Sequence, residues 1–327
     1  MIGIFKQKNP GNTLLLLIYA LVLKFPNFLH PTGPLQQPGD HYLYKQVIRF
    51  LQSFQLPPVL YSLLAFLLLF GQALLFNRIC NAQKMIAKPT YLPAMAFILV
   101  SSLFVEWNQF SAPLIINVFL IWIFYRMMLL YNIPKAGNVI YNIGLLLGIV
   151  SMLYHPAIVF ILLVIFTLFI MRPFRIQEWV IALLGITTPY YFLALILYFS
   201  NQWSWGHLLP AVSFNLPLMP TSPFTTISIV LLVIPFIVGG VFVQNNLNKM
   251  LIQVRKGWSL LLLFLMISLS VILIDGDTKY VNWILCIVPI SAFHAAAYFY
   301  PINKPFPLVL HWITFAYALY LNYVLNG

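Results

Sequence analysis

Polar positions are scarce in this chain, and their spacing cuts it into apolar blocks. The blocks cover 13–29, 58–77, 90–105, 112–131, 139–154, 157–171, 179–199, 225–243, 258–274, 281–300 and 306–325. A helix needs about 20 residues to cross a bilayer, and most of the blocks approach that length. A membrane β-barrel would alternate apolar and polar positions, whereas 227–243 is an unbroken apolar run. The pattern predicts an all-α fold, a polytopic transmembrane helix bundle of about eleven spans. Blocks 139–154 and 157–171 are at or below the lower limit of roughly 17 residues, which predicts either a re-entrant pair or a thinned region. Block 90–105 is also short, leaving room beside it for a lipid head group.

One polar stretch has a periodicity of its own. In 36–54, residues Tyr42, Leu43, Val47, Ile48, Phe50, Leu51 and Phe54 favour one side at helical spacing, and Lys45, Gln46, Arg49, Gln52 and Ser53 favour the other. The segment is too short and too charged to span. It predicts a membrane-parallel helix in the first outer loop, apolar side down.

Composition supports this class. Hydrophobic residues make up 62% of the 327 and charged residues 7%, too few to cover the surface of a water-soluble domain of this size. The polar segments are too short for an independent core, so 1–327 reads as a single integral membrane domain. The first block is not followed by a small-residue cleavage site and is kept as a span.

The net charge of +12 does not indicate a nucleic-acid partner, because the basic residues sit at span ends and form no continuous basic face. Of the 17 lysines and arginines, all but Lys24, Lys45, Arg49 and Lys279 fall on one side of the predicted spans. That bias predicts a cytoplasmic N-terminus and a periplasmic C-terminus in a bacterial inner membrane. Lys24, near the outer end of the first span, is expected to snorkel to the interface. The two cysteines, Cys80 and Cys286, make no metal signature.

Candidate chemistry gathers on the outer loops. Of five acidic residues, Asp40 lies in the first outer loop and Glu106 in the second. A carboxylate there can act as a general base on a hydroxyl or help to hold a divalent cation, the one cofactor considered. His41, His155 and His207, with Lys45 and Arg49, are candidates for binding a phosphate-bearing substrate. Plainer readings stand beside these: a loop cap for Asp40, a solvated interfacial residue for Glu106, and a turn before proline for His155. Asp275-Gly276-Asp277 has the form of a metal-binding DxD but is also a common turn sequence. No metal site is assigned. Gly144 and Gly148 form a GxxxG, read as close helix packing.

The arrangement of Asp40, a surface helix, Glu106 after a short span, and Gly144-Leu145-Leu146-Leu147-Gly148 followed by two short spans resembles the GT-C class of membrane glycosyltransferases. The resemblance covers about 1–200, with 201–327 as additional C-terminal spans. Asp40 stands alone where many members of that class carry paired acids. The chain is also similar to a family of polytopic inner-membrane proteins of Bacteroidota, which implies an envelope location but no particular activity. The GT-C likeness implies an enzyme that transfers sugar from a polyprenyl-phosphate lipid on the periplasmic face, with Asp40 and Glu106 catalytic. The competing expectation is a non-catalytic subunit of a larger envelope assembly, such as secretion machinery, whose partners are membrane lipid and other membrane proteins.

Overall fold

A computed structural model describes residues 1–208, 222–275, 280–303 and 305–325. Among these the chain is helical without strands, apart from an isolated antiparallel bridge between Asp40 and Tyr154. Twelve main helices follow in order: α1 (Asn12–Lys24), α2 (Tyr42–Ser53), α3 (Pro58–Ala82), α4 (Leu92–Val100), α5 (Ala112–Leu129), α6 (Gly137–Leu153), α7 (Ile161–Met171), α8 (Ile176–Phe199), α9 (Pro223–Asn246), α10 (Ile252–Asp275), α11 (Ile287–Phe299) and α12 (Pro305–Tyr320). Among the described residues, seven segments are long and apolar enough to cross a membrane; they contain α3, α5 and α8 to α12. Three further apolar helical segments are shorter, Asn12–Lys24, Gly137–Leu153 and His155–Met171. The chain is a multi-pass helical membrane protein.

The bundle is built around its most apolar pieces. Every residue of α4 is buried, as is nearly all of α11, and the two pack against each other. A helix apolar on all sides is stable only when surrounded. Pro235 lies inside α9, which packs on α11. There His294 Nε2 lies 2.9 Å from the carbonyl oxygen of Leu232, and since a carbonyl only accepts, Nε2 carries the proton.

Helix α4 is nine residues long, and its last carbonyls are taken by the turn that follows: Phe97, Leu99 and Val100 O accept the N–H groups of Ser101, Ser102 and Leu103. Three successive carbonyls after it receive side-chain donors from distant elements. Lys24 Nζ donates to Ser101 O (3.3 Å), Asn322 Nδ2 to Ser102 O (2.8 Å) and Ser228 Oγ to Leu103 O (2.8 Å). The ammonium also donates to Asn108 Oδ1. Lys24 therefore does not snorkel; it is 2% exposed and caps a helix end, because two oxygens within reach replace the water it would otherwise seek. The 3-10 turn Val105–Asn108 follows, and Trp107 within it is buried.

The most extensive helix pairing joins α6 to α8. A β-carbon on Gly144 would lie 2.5 Å from the Ala182 carbonyl oxygen, and one on Gly148 would lie 2.6 Å from that of Ile186. On the facing helix a β-carbon on Gly185 would run into the Tyr141 carbonyl. The GxxxG is a packing seam in which backbones touch. Flanking hydroxyls tie it on both sides, Tyr141 to Thr188 and Tyr190 to Ser151. At one end Arg172 bonds the Glu178 carboxylate at 2.6 Å and 3.1 Å and donates to the Ile133 carbonyl, joining α7, α8 and the α5–α6 loop.

Gly144→Ala and Gly148→Ala should each lower the melting temperature of the purified protein, with a cost of about 1–3 kcal/mol for forcing a methyl into a filled seam. Gly240→Ala, whose β-carbon meets nothing within 4 Å, is the control and should not lower melting, since alanine is the better helix former.

Candidate functional site

The loop before α2 turns on Asp40. Its Oδ2 accepts the Gln37 backbone N–H at 2.7 Å, closing a tight turn. The next residues pair with the end of α6: the His41 N–H donates to Leu153 O (3.1 Å) and the His155 N–H to Gly39 O (2.9 Å). These reciprocal bonds bracket the Asp40–Tyr154 bridge. They fix the start of α2 against the top of the α6–α8 seam.

Helix α2 then lies across the bundle with Tyr44 and Ile48 buried. The Tyr44 hydroxyl donates to Leu35 O at 2.7 Å, and burial, with the Asp40 charge adding to it, holds that phenol well above the usual range. Phe50 and Phe54, one turn apart, stay exposed with ring centroids 5.0 Å apart. One face carries Tyr42, Lys45, Gln46 and Arg49, a stripe at i, i+3, i+4 and i+7, with Lys45 and Arg49 exposed and Tyr42 half-buried.

The stripe, with Asp40 and His41, lines a cleft of about 430 Å³ whose opposite wall is Gln202 and Gly206. That wall follows α8 directly, and Leu208 beyond it packs with Met152, Leu193 and Leu197 in an apolar cluster that also takes in Tyr42 and Leu43. The cleft therefore brings Asp40, His41, Lys45 and Arg49 together, four of the candidate residues. His155 sits behind them, its ring stacked on that of His41 at 5.7 Å. Gln46, Gln202 and Gly206 were not picked out from sequence. The polar spacing of α2 could have shown Gln46, whereas the other two join the site only through the packing of α8. Helix α2 also directs its N-terminal N–H groups toward the Asp40 end, an environment that favours anions.

Glu106 is elsewhere. It lies half-buried in the turn after α4 and lines a different cleft, of about 280 Å³, with Ser228 and Tyr280 among its walls. The two carboxylates read from sequence as one site are thus divided between two clefts. His207 falls in the short helix Trp205–Leu208 beside the first cleft, but its side chain lies outside the described residues, as does the Asp275-Gly276-Asp277 turn. The described residues hold no group of three or more His, Cys, Asp or Glu side chains able to hold a metal ion. The cation considered from sequence finds no ligand set among them.

Compared with protein-family models, with curated proteins and with solved structures, the chain matches none.

Burial lowers the His41 pKa most, the adjacent His155 lowers it further, and Lys45 adds a little. The nearby backbones of Leu208 and Met152 oppose this only in part, and the value is pushed down to about 4. His41 is thus neutral in the fold, and its other charged neighbour is Asp40. Its ordinary value is 6.5, so between pH 6.5 and about 4 an opened state binds the proton more readily than the closed one. The bridge is at full strength above that window and weakens as pH falls through it. With the intrinsic pH dependence of exchange divided out, the protection of the His41 and His155 amides should fall as pH drops across the window in the wild type, and the step should flatten in His41→Asn.

Proposed function

We propose that the protein is a GT-C-like glycosyltransferase of a bacterial inner membrane, and that the α2 cleft opens at the periplasmic face to hold the phosphate of a polyprenyl-phosphate sugar. The observation that carries the proposal is that Lys45, Arg49, His41 and Asp40 line one cleft. Two cations against one carboxylate suit a phosphate, and the cleft can hold a head group while the lipid tail stays in the bilayer. In the reaction Asp40 takes the proton of an acceptor hydroxyl. The hydroxyl oxygen bonds to the anomeric carbon, the bond from that carbon to the phosphate oxygen breaks, and its electron pair leaves with the lipid phosphate. Lys45 and Arg49 stabilise the charge that develops there. Glu106, lining another cleft, takes no part in this step.

A second reading has its own support. Asp40 is 3% exposed, and its Oδ2 already holds the Gln37 N–H, which is what a loop cap does. On that reading the protein is a non-catalytic subunit of an envelope complex.

Asp40→Asn separates the two, since the amide oxygen can still accept the Gln37 N–H while the base is gone. Membranes carrying this variant should lose transfer of labelled sugar from the polyprenyl-phosphate donor by about 10²–10⁴-fold with melting unchanged. Lys45→Gln with Arg49→Gln should chiefly raise the donor concentration required. Transfer that persists in Asp40→Asn would leave the subunit reading.

On this proposal the chain makes eleven passes, the four shorter helices included. Reporters fused after Ala82 and after Leu325 should then report opposite faces; the same face for both would reject the count.

A further inference from the structure

A second polar cleft lies at the other end of the bundle. Helix α3 has 25 residues, about 37 Å of rise, so its two ends lie a membrane thickness apart. Helix α2 and the first cleft are next to its start. Around its last two turns is a cleft of about 490 Å³ lined by Lys8, Thr13, Asn77, Arg78, Asn81 and Tyr91, with Leu74 and Pro89 as apolar walls.

The groups here differ in what they have left to give. Asn81 is fully engaged: its Nδ2 donates to Thr90 O (2.9 Å) and its Oδ1 accepts the Thr90 N–H (3.0 Å), which holds the wall rigid. The Thr13 hydroxyl donates to the Tyr91 hydroxyl at 3.1 Å, leaving the Tyr91 proton to donate onward. Lys8 and Arg78 are exposed, and the ion pair found among the described residues, Arg172–Glu178, involves neither. Asn77 is 5% exposed, and its Oδ1 accepts no hydrogen bond from the described residues. The cleft thus presents two cations and a hydroxyl donor for phosphate oxygens, one buried acceptor for a hydroxyl, and apolar walls reaching toward the bilayer.

We propose that this cleft is a binding site for an anionic glycerophospholipid with a hydroxylated head group, its phosphodiester held by Lys8, Arg78 and Tyr91 and its head-group hydroxyl donating to Asn77 Oδ1. The site is independent of the cleft beside α2. Basic residues that act only by attracting anionic lipid to the surface are not expected to distinguish positions within a loop. Lys84 and Lys88 stand in the loop that directly follows Arg78's helix, at the same end of it, and do not line the cleft, so they are the internal control.

The test is titration of the full chain, purified in neutral detergent, with phosphatidylglycerol, followed by native mass spectrometry. Lys8→Gln with Arg78→Gln should weaken binding about thirtyfold, from the loss of two cations at a phosphate. Lys84→Gln with Lys88→Gln should change it by less than about twofold. Phosphatidylmethanol, with the same charge and no hydroxyl, should bind the wild type more weakly than phosphatidylglycerol. Equal losses in the two double variants, or no loss in either, would overturn the site. Equal affinity for the two lipids would overturn the role of Asn77. Displacement of the lipid by millimolar inorganic phosphate would make this a site for free phosphate rather than for lipid.

Discussion

The close approach of α6 and α8 is the constraint on which the first cleft depends. Gly144 and Gly148 on one helix and Gly185 on the other let backbones meet where any side chain would hold them apart. In lipid there is no hydrophobic gain from joining two apolar helices, so packing of this kind is what holds them. The top of α6 carries the residues that bridge to Asp40 and His41. The top of α8 leads into Gln202 and Gly206. Widening the seam would move one wall of the cleft relative to the other, so the geometry at the surface is set by glycines well below it.

The interior shows the same economy with polar groups. A buried donor or acceptor inside a membrane is costly unless paired. Gln72 Nε2 bonds Leu114 O and its Oε1 accepts from Asn117, locking α3 to α5. Lys24, Asn322 and Ser228 cap the carbonyls that follow α4. The turn that ends this short helix is thereby satisfied by donors from three other elements. Polar residues within the apolar blocks are thus mostly joints. The cleft beside α2 and the cleft around the last turns of α3 are instead lined by polar side chains where helices begin or stop.

Much of this was legible in the sequence. The apolar blocks fall on helices α1 and α3 to α12, and the break at 36–54 contains the amphipathic α2. The charge of Lys24 misled because a sequence shows how polar a side chain is but not whether an oxygen waits for it across the bundle.

The sequence by itself determined the class of the molecule, since 62% hydrophobic residues in long runs leave no alternative to a helical membrane bundle. It also determined that α2 is too short and too charged to cross a bilayer by itself. Only the tertiary structure decided which candidates share a site. Asp40, His41, Lys45 and Arg49 are neighbours along the chain, and local helix geometry brought them together. Glu106 and Gln202 are remote in sequence, and their places depend on helix packing, which put Gln202 in the cleft and Glu106 in another. Periodicity is a local property of a chain, and convergence of distant residues is a property of the packed whole.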